Sequence, residues 1–215
     1  MSSVAIDNDH AHDNHGQGHD THDAHVAHAT ATGVSNEKLG MWVFLGSECL
    51  LFGALIATYL NYRGKSINGP YPKDVYNIPF TSASSFILLM SSLTMVLALS
   101  AVGRGDGRRG RIWLISTALL GSIFIGGQIY EFRDFVQVKG LGMSTNLFGS
   151  SFYVLTGFHG VHVTLGILML LSLAFLSWRG KITKANAETV EIIGLYWHFV
   201  DVIWIVIFTV VYLIK

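Results

Sequence analysis

Glu48, Glu131, His159, His162, His198 and Asp201 stand within or at the ends of long apolar stretches of this chain. Ionisable groups at bilayer depth cost about 2.5–3.5 kcal/mol each on insertion scales, and they persist where they have partners or a task. Spacing sorts them: His159 with His162, and His198 with Asp201, lie three residues apart, so each pair shares a helix face. Three histidines with Asp201 or Glu131 as a fourth donor have the chemistry of a metal site. Two residues at i, i+3 without a third fixed partner are a weak metal signal. The preferred assignment is therefore no metal, with these groups bonding between helices or to lipid headgroups. Gln128 and Glu131 share a further face. Arg133 and Asp134 follow closely, so Glu131 is either a buried polar group or part of an interfacial charge cluster. Glu48 has no ionisable neighbour in its own run. It suits a proton relay or a hydrogen-bond donor at a subunit contact. Trp197, with Tyr196 and Trp204, suits a membrane–water interface.

The elements that must position these residues follow from composition. Half of the chain is hydrophobic (51%) and 13% is charged, against about 25% charged in soluble domains. Net charge is zero, which gives no argument for nucleic acid. The single cysteine, Cys49, excludes a disulfide framework, a thiolate metal cage and a c-type haem attachment site. Apolar segments at 37–62, 79–103, 111–136, 147–178 and 188–214 are each long enough for a hydrocarbon core of about 30 Å. The expected fold is all-α, a polytopic membrane bundle of five transmembrane helices. Ser35 or Asn36 caps the first helix, and Pro79 sits in the first turn of the second. Gly46, Cys49, Gly53 and Ala57 make a small-residue stripe suited to close helix approach, with Glu48 roughly opposite. Thr156, Gly160 and Thr164 form a second seam. The serines of the second helix are expected to bond to backbone or to a neighbouring helix.

Residues 1–36 form a separate region, a polar tract with seven histidines. Clustered imidazoles bind zinc, nickel or copper, yet the composition alone makes a disordered tail. The tract lacks the basic start and apolar stretch of a secretory leader, so the first spanning helix is expected to direct insertion. With the amino terminus inside, eight Lys and Arg lie on the inner side and six on the outer. The tight basic loop at 103–111 favours that orientation.

Four segments carry a resemblance. Gly40-Met-Trp-Val-Phe-Leu-Gly-Ser-Glu-Cys-Leu-Leu-Phe, Gln128-Ile-Tyr-Glu-Phe, Gly149-Ser-Ser-Phe-Tyr-Val-Leu-Thr-Gly-Phe-His-Gly-Val-His-Val and Tyr196-Trp-His-Phe-Val-Asp-Val-Ile-Trp resemble subunit III of the haem-copper terminal oxidases, in its five-helix bacterial form. The likeness covers residues 37–215 and leaves out the histidine-rich tail. It implies a non-catalytic subunit in a bacterial plasma membrane, part of a proton-translocating cytochrome c oxidase-type complex. Such a chain holds no haem or copper, which belong to partner subunits. It packs against the catalytic subunit I beside subunit II, holds phospholipid in a cleft, and supports proton uptake. Glu48 matches the family's intramembrane carboxylate and is expected to face the catalytic subunit or the cleft. Quinol oxidase subunit III, the accessory subunit of nitric oxide reductase and a small proton-coupled transporter are the alternatives. The transporter lacks the internal repeat and broken helix pair common in that class.

Overall fold

A computed structural model describes residues 35–63, 78–137, 140, 147–182 and 186–214. The histidine-rich tract before Ser35 lies outside them, as do most of the connections at 63–78 and 137–146. Among the described residues there are five long helices and no strand. They are α1 (Asn36–Tyr62), α2 (Ile78–Gly103), α3 (Gly107–Gln137), α4 (Leu147–Trp178) and α5 (Ala187–Phe208). The last continues as a π-helical turn over Thr209–Leu213. All five are long and apolar enough to cross a membrane, and the expected all-α membrane bundle is the observed architecture.

Local chemistry sets the helix ends. Ser35 caps α1, its Oγ accepting from the backbone N–H of Lys38 at 3.3 Å. Sequence placed the start of α3 at Arg111, but it begins at Gly107. Asp106 is the reason: its carboxylate accepts from the backbone N–H of Arg109 at 3.1 Å, satisfying one of the open donors of a helix start. Just before it, Gly105 adopts φ +82°. There the N–H of Gly105 bonds Val102 O at 2.9 Å and that of Asp106 bonds Ala101 O at 3.0 Å. That is a Schellman stop, which needs a left-handed residue. Arg108 and Arg109 therefore belong to the first turn of α3 and not to a loop.

In the bundle α2 runs along α3, α3 packs on α4, and α5 lies against α2 and α4. α1 lies over α4 and α5 and is the least enclosed helix. Its inward face carries Phe52 and Tyr59, both buried. The stripe of Gly46, Cys49, Gly53 and Ala57 points away from the bundle, and a Cβ at Gly46 or Gly53 would touch nothing within 4 Å. Thr156 is buried while Thr164 is exposed, so the second seam packs only in part.

Trp197, Trp204 and Tyr196, expected at the membrane interface, are buried in the core. Their polar atoms find partners there. The Trp197 indole N–H donates to Ser91 Oγ at 3.0 Å and that of Trp204 to Ser85 Oγ at 2.8 Å, so the serines of α2 do bond to a neighbouring helix. Space for Trp197 comes from two glycines. A Cβ at Gly121 would fall 2.6 Å from the indole, and one at Gly166 2.8 Å from it.

Candidate functional site

Glu48 sits near the middle of α1 and His162 near the middle of α4. Glu48 Oε2 and His162 Nε2 are 3.2 Å apart. His162 Nδ1 is 2.8 Å from the carbonyl of Phe158. A carbonyl oxygen only accepts, so Nδ1 carries a hydrogen. Nε2 then meets the carboxyl in one of two ways: it accepts O–H from a neutral acid, or donates N–H to a carboxylate. Either way the pair shares one proton. Phe52 meets the imidazole edge-on with centroids 5.1 Å apart, and the Tyr196 hydroxyl donates to the His162 carbonyl at 3.1 Å. The pair remains partly open, with side chains 14% and 11% exposed.

This placement corrects the sequence expectation for Glu48. It was expected away from charge, turned from its own helix neighbours toward a partner or the cleft. It points inward onto His162, and the small-residue stripe on the far side of α1 points outward. Residues at i+4 and i+11 of Glu48, Phe52 and Tyr59, are the buried ones, so Glu48 lies on the packing face.

The two histidines of α4 diverge. While His162 meets Glu48, His159 is fully buried among Trp204, stacked at 4.8 Å, Phe124 at 6.0 Å and Phe52 at 6.5 Å. Neither of its ring nitrogens has a hydrogen-bond partner among the described residues. Gln128 Nε2 reaches the carbonyl of Thr156 at 3.4 Å, with Gly160 beside its side-chain oxygen. Glu131 is buried. It accepts from the Thr81 hydroxyl at 2.5 Å and from Tyr212 at 3.4 Å. The π-helical turn at the end of α5 carries Tyr212 to that bond. Nothing in the spacing of Tyr212 announced this contact.

His198 and Asp201 do not bond to each other. Ser92 stands between them: its Oγ is 2.6 Å from His198 Nδ1 and lies close to the Asp201 carboxyl, without hydrogen-bond geometry there. Trp197 is held by Ser91 on the same helix. Thus α2 supplies a row of hydroxyls to α5 and to Glu131. Its serines were visible in the sequence; which face they shared with the tryptophans was not. Among the described residues, no three His, Cys, Asp or Glu side chains converge as a metal site would require.

Fold and site together define a polytopic membrane protein with polar side chains bonded between its helices. Residues 18–215 match the family model described as cytochrome c oxidase subunit III. The match begins inside the histidine-rich tract, further toward the amino terminus than the motifs alone indicated. Cytochrome c oxidase subunit 3 of Alkalihalophilus pseudofirmus is 41% identical over 190 residues, covering 88% of this chain and 92% of that one. Cytochrome bo(3) ubiquinol oxidase subunit 3 of Pseudomonas aeruginosa is 39% identical over 211 residues, 98% of each chain. Quinol oxidase subunit 3 of Bacillus subtilis is 38% identical over 195 residues, covering 91% and 95%. The chain belongs to the cytochrome c oxidase subunit III family: it is a multi-pass membrane protein and a subunit of a terminal oxidase complex.

Proposed function

We propose that this chain is the non-catalytic subunit III of a haem-copper oxidase that takes electrons from cytochrome c. In this role it stabilises catalytic subunit I, adjoins subunit II, holds phospholipid and supports proton uptake. Its amino terminus lies in the cytoplasm. The haems and copper belong to the partner subunits and this chain has no redox centre. The observation that carries the proposal is the Glu48–His162 pair. A proton-sharing pair at mid-membrane, partly open at the bundle surface, suits a chain that supports proton movement in a neighbour. The separation of the histidines supports the absence of a redox centre: His162 is engaged by Glu48, His159 by aromatic rings and His198 by Ser92. The transporter alternative gives way to membership of the oxidase family.

The test is metal and haem content per catalytic subunit, measured in the purified complex with and without this chain. Equal contents are expected. A haem band or a copper equivalent lost with the chain would refute the proposal. One observation favours a second donor: the ubiquinol oxidase relative aligns over 98% of the chain. Oxygen consumption by the complex with reduced cytochrome c, against a short-chain ubiquinol, decides between the two.

A further inference from the structure

Between α1, α2 and α5 runs a groove of about 260 Å³. At its mouth the Lys38 ammonium meets Glu191 at 2.5 Å. Trp42, Leu99 and Leu195 form part of its wall, and His198 lies on its lining. The His198 ring is fixed by Ser92 at Nδ1, and its Nε2 has no partner among the described residues. One helical turn along α5, Asp201 is 3% exposed, and neither carboxyl oxygen has a well-formed hydrogen bond among the described residues, although Ser92 lies close.

These are two independent observations one helical turn apart on α5. Buried polar groups are almost always hydrogen-bonded, and leaving a carboxyl unpaired costs several kcal/mol on the order of 2–7. Water repairs such a group where there is room and there are polar atoms to hold it. The groove has both: an ion pair at the mouth and the His198 imidazole on its lining, with the Asp201 carboxyl one helical turn further along α5. Its volume exceeds several times the roughly 30 Å³ that a water molecule takes in the liquid. The ion pair is internally compensated, so the mouth offers no net charge to hold an anionic headgroup.

We propose that this groove is an aqueous inlet, opening at the membrane face where α1 begins and bringing water to His198, Ser92 and Asp201. The inlet is a property of this chain, independent of the electron donor and of the part played by Glu48.

Cysteine accessibility tests it in native membranes containing the whole complex. Cys49 is the single cysteine of this chain and is exposed, so Cys49→Ser leaves this chain without a thiol, and labelling is read on this chain after it is separated from the other subunits. Leu195→Cys places a thiol on the groove wall. Val96→Cys places one on the outer surface, where Val96 is 51% exposed. Both lie at the same depth, since a Cβ at Gly194 would meet Met95 at 3.0 Å. A charged, membrane-impermeant methanethiosulfonate reacts with the thiolate, which forms in water. Leu195→Cys should therefore react at least about tenfold faster than Val96→Cys, from the side of the α1 amino end. Equal slow rates would overturn the inlet. So would labelling of Leu195→Cys by a lipid-soluble maleimide alone. Should the variants fail to assemble, a density map of the unaltered complex decides. Ordered water within hydrogen-bond reach of His198 Nε2 and Asp201 is expected, and a hydrocarbon chain filling the groove refutes it.

Discussion

At the scale of single residues, Glu48 is the carboxyl whose partner matters most. Because it shares a proton with His162 Nε2, Glu48→Gln keeps the shape and leaves an amide N–H to donate to that nitrogen. Initial turnover of the purified complex should stay largely intact. Glu48→Ala strands the imidazole in a partly buried site, where an unpaired group costs about 1–3 kcal/mol. The harm should appear as weaker subunit association and activity lost over many turnovers, read as steady-state oxygen consumption with time. If Glu48→Gln abolished the first turnovers of an assembled complex, the carboxyl would be an obligatory proton carrier. The same logic applies to Ser91, the acceptor of the buried Trp197 indole N–H. Ser91→Ala should lower thermal stability by roughly 1–3 kcal/mol, and should cost much less once Trp197→Phe has removed the donor. Equal costs in both backgrounds would show that the bond contributes nothing.

At the scale of helices, length and apolarity were enough to find all five, because a bilayer core demands about twenty apolar residues whatever the neighbours. Which face of each helix turns inward was much harder to read. Lipid tails are as apolar as a protein interior, so hydrophobicity does not mark the packing face. Serines, glycines and tryptophans carry that information, and it is relational. Trp197 looked like an interface anchor because its partners Ser91, Gly121 and Gly166 lie on three other helices. Glu48 was placed opposite the small-residue stripe correctly, and the wrong one of the two faces was turned away from the bundle. The start of α3 was missed because Asp106 was read as loop and not as a cap. The fit around Trp197 yields a prediction for the α3–α4–α5 junction. Gly121→Ala puts a methyl group 2.6 Å from the ring, and overpacking of this kind costs about 1–3 kcal/mol. The melting temperature of the purified complex should fall, and Trp197→Phe should restore part of the loss. A neutral Gly121→Ala would mean that α3 shifts freely away from α5.

For the whole molecule, orientation is the property on which the inlet and the proton-sharing pair both depend. With the basic turn at 103–111 on the inner side, protease added to sealed, right-side-out cells should leave the amino-terminal tract intact, and cleavage would reverse the topology. α1 is held to the rest at three levels. Ser35 bonds Glu188 and Lys38 bonds Glu191 at one end, Glu48 meets His162 midway, and Arg63 reaches the carbonyl of Ile214 at the other end. Every one of these partners lies on α4 or α5, or just beyond α5. The helix that leaves the ribosome first is thus fastened by the helices that leave it last. At roughly 5–20 residues per second of synthesis, the stretch from Tyr62 to Ala187 separates the two events by on the order of ten seconds. Until His162 follows on α4, for most of that interval, the nascent α1 resides in the membrane with Glu48 still lacking its imidazole, so the insertion machinery must tolerate a solitary acid that the finished protein never presents.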